Sequence, residues 1–111
     1  MGKWSEQREN PRAMLERETA GLDAWVKEDE RQQKFTDCFY EMFTPGALDA
    51  KTKYLIGIAI NLCNHCEYCI AYHTREALKA GATREEILEA ADVAVMFGGA
   101  PAPAYAATFL R

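Results

Sequence analysis

Apolar residues recur along this chain at the three- and four-residue steps of a helix, and no segment sustains the alternation a half-buried strand needs. Asn10-Pro11 pairs a capping side chain with a proline at a first helical position, which predicts a short helix over 11–20, stopped by Gly21. Leu22, Trp25, Val26, Phe35, Cys38, Phe39, Met42 and Phe43 predict a second helical stretch from about 22 to 43. Its middle, Lys27 to Lys34, is almost wholly charged or polar, so it projects into solvent or bends there. Thr44-Pro45-Gly46 is a break. Asp49 then caps a third helix, about 50 to 63, which is apolar on most sides and so is buried in the subunit or in an oligomer. A fourth helix runs from about Cys66 to Ala80, with Gly81 just past its end. Thr83 and Glu86 form a capping box for a fifth, which Phe97-Gly98-Gly99 ends. Pro101 or Pro103 opens a last short helix ending near Leu110. The expected fold is therefore all-α, a bundle of about six helices.

Length and charge narrow the setting. The 111 residues suit one compact domain, taken as 11–111, behind a polar, flexible N-terminus over 1–10. A domain of this size leaves much surface exposed, which favours an obligate homo-oligomer. The net charge of −4 argues against nucleic acid, whose phosphates require a clustered basic face. The longest apolar run, Tyr54 to Cys63, is interrupted by Asn61 and is too short to cross a bilayer, so no membrane association is expected. The densely charged start does not read as an export signal, and the expected location is the cytoplasm. In a reducing compartment, four cysteines point to reactive or metal-binding thiols rather than structural disulfides.

Three of those cysteines lie in CNHCEYCIAYH, Cys63 to His73. On a helix, positions i, i+3 and i+7 share a face, which groups Cys66, Cys69 and His73. Cys66 stands at the expected helix start, where backbone N–H groups favour a thiolate. A C-x-x-C pair at such a place closes a disulfide with little backbone movement, and His73 can hold or relay a proton. The patch thus offers a nucleophilic thiol, a resolving thiol and a proton carrier, and this dithiol chemistry requires no cofactor. The run also allows a metal or iron–sulfur reading through Cys63, Cys66 and Cys69, with His73 where a fourth cluster cysteine would stand. A straight helix presents its ligands from one side, so such a site needs a second copy to close it. Cys63 is equally open to simple packing at the end of the third helix. His65 reads as a loop or solvent residue, with an accessory role at the site as the alternative, and Cys38 as a small apolar residue buried on the second helix.

LDAKTKYLIGIAI, CEYCIAYHTREALKAGATREEILEA and FGGAPA together resemble the carboxymuconolactone decarboxylase family, in its alkylhydroperoxidase D-like branch. The likeness covers roughly residues 22 to 110. It implies helical subunits that form dimers, often assembled into trimers or hexamers, and thiol-dependent peroxidase or disulfide reductase activity. It further implies that Cys69 attacks the peroxide, that Cys66 resolves the product and meets an external thiol or protein reductant, and that His73 relays the proton. Where the family carries a glutamate ahead of the pair, this chain has Tyr54, a poor base at neutral pH, which favours disulfide exchange over the full peroxidase relay. Cys63 is additional to the family's minimal motif and is open to an alternative disulfide with Cys66 or to a metal. The family's decarboxylases lack the cysteine pair, and only Arg75 and Arg84 lie near the motif to meet a polycarboxylate. A helical assembly protein that keeps the motif without catalysis is the remaining alternative.

Overall fold

The computed structural model describes residues 10–110, which form six helices and no strand. In chain order they are α1 (Pro11–Glu28), α2 (Glu30–Met42), α3 (Ala50–Asn64), α4 (Glu67–Lys79), α5 (Arg84–Gly98) and α6 (Pro101–Phe109). The flexible N-terminus expected over 1–10 lies outside the described residues except for Asn10, whose side chain accepts a hydrogen bond from the Ala13 N–H at 2.8 Å.

The helix starts follow side-chain acceptors. Asp49 accepts from the Thr52 N–H at 2.7 Å and opens α3. Thr83 accepts from the Glu86 N–H at 3.1 Å while its own N–H donates to the Glu86 carboxylate at 2.9 Å, completing the capping box of α5. Gly81 adopts φ +96 after α4, a left-handed conformation that glycine reaches without a Cβ penalty.

Gly21 does not stop the first helix. A lone glycine inside a helix costs only about 1 kcal/mol against alanine, and α1 continues through it to Glu28. The break falls instead at Asp29, inside the charged stretch. Its N–H donates to the Trp25 carbonyl, closing α1, and its carboxylate accepts from the Arg31 N–H at 2.9 Å, opening α2. The last helix starts at Pro101, the earlier of the two candidate prolines.

α3 lies at the centre, packed along both α4 and α5, with α6 closing one end. The core joins Ile58 and Leu62 of α3, Ile70 and Ala77 of α4, Ile87, Ala91 and Ala94 of α5, and Ala102 of α6. Each fully buried isoleucine or leucine contributes about 1.5–3 kcal/mol of transfer free energy, and the alanines let the helix backbones approach closely. A Lys51–Glu86 ion pair at 2.9 Å ties α3 to α5 at the surface.

The α1–α2 hairpin sits against α4. The Thr19 and Tyr68 hydroxyls meet at 3.2 Å between α1 and α4. No residue of α2 is fully buried. Cys38 is exposed, against the expectation of a core position. The reason is that α2 packs inwards through Phe39 and Phe43, and Cys38 falls to the solvent side of that contact.

Candidate active site

The site is built where α3 ends and α4 begins. His65 closes α3 in a left-handed conformation, φ 61, and its exposed ring stacks on Tyr105 at 5.0 Å. This turn redirects the chain, and Cys66 becomes the N-cap of α4. Its sulfur accepts a hydrogen bond from the Cys69 N–H at 3.3 Å, so one of the free donors of the helix start points at this sulfur, as the spacing predicts. Cys66 and Cys69 are joined in a disulfide, with Cα atoms 5.2 Å apart.

His73 follows one turn after Cys69 and is 5% exposed. Four aromatic rings enclose the imidazole: Phe43 and Tyr72 at 5.2 Å between ring centroids, Phe39 and Tyr54 at 6.0 Å. Against α3 the ring lies directly on Gly57. A Cβ there would stand 2.7 Å from Nδ1, so only glycine leaves room for the imidazole in this position. Nδ1 is buried and makes no hydrogen bond to the described protein. An unmet buried polar atom of this kind costs about 1–3 kcal/mol, a cost that functional sites often carry.

The electrostatics follow from this enclosure. Burial lowers the His73 pKa below its ordinary 6.5, and the nearby Glu76 carboxylate partly offsets the shift. The imidazole is therefore neutral at pH 7 and able to accept a proton. Burial raises the Tyr54 pKa, with the Glu76 charge acting in the same direction, so the phenol keeps its proton. Tyr54 stacks on Phe43 at 4.8 Å and serves here as a wall of the imidazole's cage.

Cys69 and His73 both face a cleft of about 240 Å³ between α4 and the α1–α2 hairpin. Its walls are mainly aromatic and aliphatic, including Leu22, Trp25, Val26, Phe35 and Tyr68, with Arg75 also at its edge. Cys66 is not among the residues lining it. Of the two sulfurs, Cys69 is the one a ligand in the cleft would meet.

Cys63 stands apart from this set. Its thiol donates weakly to the Ala94 carbonyl at 3.5 Å and seats against Gly98, where α3 meets α5. It remains a free thiol. Among the described residues, no three His, Cys, Asp or Glu side chains gather around a point that could hold a metal ion. With Cys66 and Cys69 engaged with each other, the donor set for the three-thiol metal reading is not assembled in this form. The structure therefore brings together Cys66, Cys69, His73 and Tyr54, and directs Cys63 and His65 elsewhere. Sequence reasoning missed Gly57 and the aromatic cage. An isolated glycine within an otherwise apolar helix was the available signal for a close approach.

Comparison with known proteins bears on this geometry. The family model described as the carboxymuconolactone decarboxylase family matches residues 30–111. A crystal structure of an apo carboxymuconolactone decarboxylase family protein from Legionella pneumophila is 37% identical, covers 90% of each chain and superposes with a TM-score of 0.85. An uncharacterised protein of the cox locus of Paracoccus denitrificans is 42% identical over 65 residues, which are 59% of this chain and 59% of that protein. An alkyl hydroperoxide reductase D of Mycobacteroides abscessus is 31% identical over 78 residues, 62% of this chain and 45% of that protein. The chain thus spans roughly half to three-fifths of the length of these curated relatives. No helix among the described residues is long and apolar enough to cross a membrane.

Proposed function

The chain belongs to the carboxymuconolactone decarboxylase family, and from that premise we propose that it is a dithiol oxidoreductase reducing disulfides or hydroperoxides through Cys66 and Cys69. The observation that carries the reading is the Cys66–Cys69 disulfide at the start of α4, with Cys69 and His73 facing one cleft. The cysteine pair favours redox chemistry over decarboxylation, and the cleft offers a single arginine, Arg75, to a carboxylated substrate.

In the reduced protein, neutral His73 accepts the Cys69 thiol proton, directly or through one water. With a disulfide substrate, the Cys69 thiolate attacks one sulfur; a mixed disulfide forms and the other substrate sulfur leaves as a thiol, taking up that proton. Cys66 then attacks the Cys69 sulfur, releases the second substrate thiol and closes the Cys66–Cys69 disulfide. With a hydroperoxide, Cys69 attacks the distal oxygen, the O–O bond breaks, an alcohol leaves, and Cys69 becomes a sulfenic acid. Cys66 displaces its oxygen as water and closes the same disulfide. An external dithiol or thiol protein restores both thiols by exchange, consistent with a reducing, cytoplasmic setting. Protonated Tyr54 offers no carboxylate base, so the disulfide reaction, which needs only the pair and one proton acceptor, is the stronger arm.

The test is single turnover by pre-reduced protein. Two thiols should disappear for each disulfide or hydroperoxide consumed, with loss of turnover in Cys66→Ser and in Cys69→Ser. Full activity in either variant would sink the assignment.

The reading extends to assembly as a homo-oligomer. Ile56 and Ile60 of α3, and Val93, Met96 and Phe97 of α5, expose helix-spaced apolar side chains, with Phe97 85% exposed. A second copy covering such a face stabilises it by removing that area from water. Light scattering should then give a dimer, trimer or hexamer; a monomer at micromolar concentration would overturn the extension.

A further inference from the structure

The cleft above Cys69 carries more chemistry than a thiol reaction alone requires. Phe39, Tyr68 and Tyr72 give it a flat, apolar lining, and Trp25 and Phe35 close it from the hairpin side. These two are half or more exposed, Phe35 at 68%, so the apolar surface they offer the cleft is not buried by the fold itself. At about 240 Å³ the space admits a ring with a short branched substituent and exceeds what hydrogen peroxide needs.

Arg75 supplies a polar end. Its guanidinium lies over the Tyr72 ring, with Cζ 5.4 Å from the centroid, which fixes the plane of the fork. One terminal nitrogen donates to Glu76 at 3.3 Å. The Nε–H is buried and has no acceptor in the described protein. A guanidinium held in place by stacking and one ion pair, on a side chain that is partly exposed at the edge of the cleft, fits an incoming carboxylate oxygen. Asp23, on the opposite α1 wall, is the other charged group lining the cleft, so an anion is favoured at the Arg75 end and not elsewhere.

We propose that this cleft binds a small aromatic or branched-alkyl carboxylate, with its apolar body between Trp25, Phe35 and Tyr72 and its carboxylate on Arg75. Combined with the dithiol reading above, on which this part rests, the substrate is an organic disulfide or hydroperoxide bearing that acid group, its reactive bond at Cys69.

The binding test needs no turnover. Oxidised protein is titrated by calorimetry with 4-isopropylbenzoate and with 4-isopropylbenzamide. The acid should bind at least tenfold more tightly than the amide. Arg75→Met should abolish that preference, and Phe35→Ala, at an exposed position, should weaken acid and amide by the same factor. Equal affinity for acid and amide, or an acid affinity unchanged in Arg75→Met, overturns the proposal. Reduced protein is then given a carboxylated aryl disulfide, a carboxylated aryl hydroperoxide and the uncarboxylated form of each. A KM at least tenfold lower for one carboxylated form, lost in Arg75→Met, identifies which reactive bond the site serves. Selective binding of the acid with no turnover of any of the four leaves the binding site standing and removes the dithiol reading instead.

Discussion

Cys63 and Cys66 are three residues apart and occupy different worlds. Cys63 ends a helix and tucks its sulfur between the Ala94 carbonyl and Gly98, among packing contacts. Cys66 begins the next helix, takes a backbone N–H onto its sulfur and pairs with Cys69 beside a cleft. The left-handed turn at His65 produces the difference, because it ends one helix axis and starts another between them. Equal spacing of thiols along a chain therefore says little about equal roles. What matters is which side of the helix break each one falls on.

Mutation can break this contrast at several points. The largest effect is expected at the pair itself: Cys66→Ser or Cys69→Ser should lower dithiol turnover by at least about 10³-fold, in keeping with loss of a nucleophile that acts as part of a unit. Trapping should separate their roles, with Cys66→Ser accumulating a mixed disulfide or sulfenic acid on Cys69, read by mass spectrometry. Gly57→Ala comes next. Its Cβ would press on His73 Nδ1, so the imidazole must move by an ångström or so, and turnover should fall by about 10- to 100-fold. The acid limb of the pH–rate profile should shift at the same time, which loss of fold stability alone would not cause.

The pH dependence of the parent protein is the next test. The folded His73 pKa lies below the unfolded value of 6.5. Above 6.5 both states are neutral there and stability is unaffected by this group. As pH falls from 6.5 towards the folded pKa, the unfolded chain takes up the proton first, so folding stability declines, then levels off below the folded value. Turnover should hold until the pH approaches that lower folded value. Urea melts across pH 5–7.5 should follow this course, and an acid limb above 6.5 would refute it. The smallest effects should come from the other thiols: Cys63→Ser should keep most activity while losing some packing, and exposed Cys38→Ser should change stability by no more than about 0.5 kcal/mol.

Much of this arrangement could be read from local chemistry. Asn10, Asp49, Thr83 and Gly81 act on the backbone within a few residues, so the ends they mark are where the pattern predicts. Cys66 belongs to the same class, because an N-cap is a local event. Gly21 misleads because its modest local cost is outweighed by the continuation of α1 and by the double cap at Asp29. Cys38 misleads for another reason: its apolar neighbours are genuine, but α2 lies on the outside, and Phe39 of α2 and Phe43 just beyond it turn inwards while Cys38 faces solvent. The cage around His73 depends on the crossing of α3 and α4, a tertiary fact; Gly57, a lone glycine in an apolar helix, signals a close approach without saying which side chain makes it. Cys63 stayed ambiguous in the sequence because helix-end packing and metal ligation ask for the same residue.

The hinge at Asp29 has a consequence for how selectivity and chemistry are divided. The segment matched by the family model starts at residue 30, the first residue of α2, so all of α1 lies outside it. The thiols and their histidine sit well inside that segment, while Leu22, Trp25 and Val26 of the cleft wall come from α1. One aspartate joins the two. New side chains on α1 would alter what reaches Cys69 and leave the atoms that react where they are.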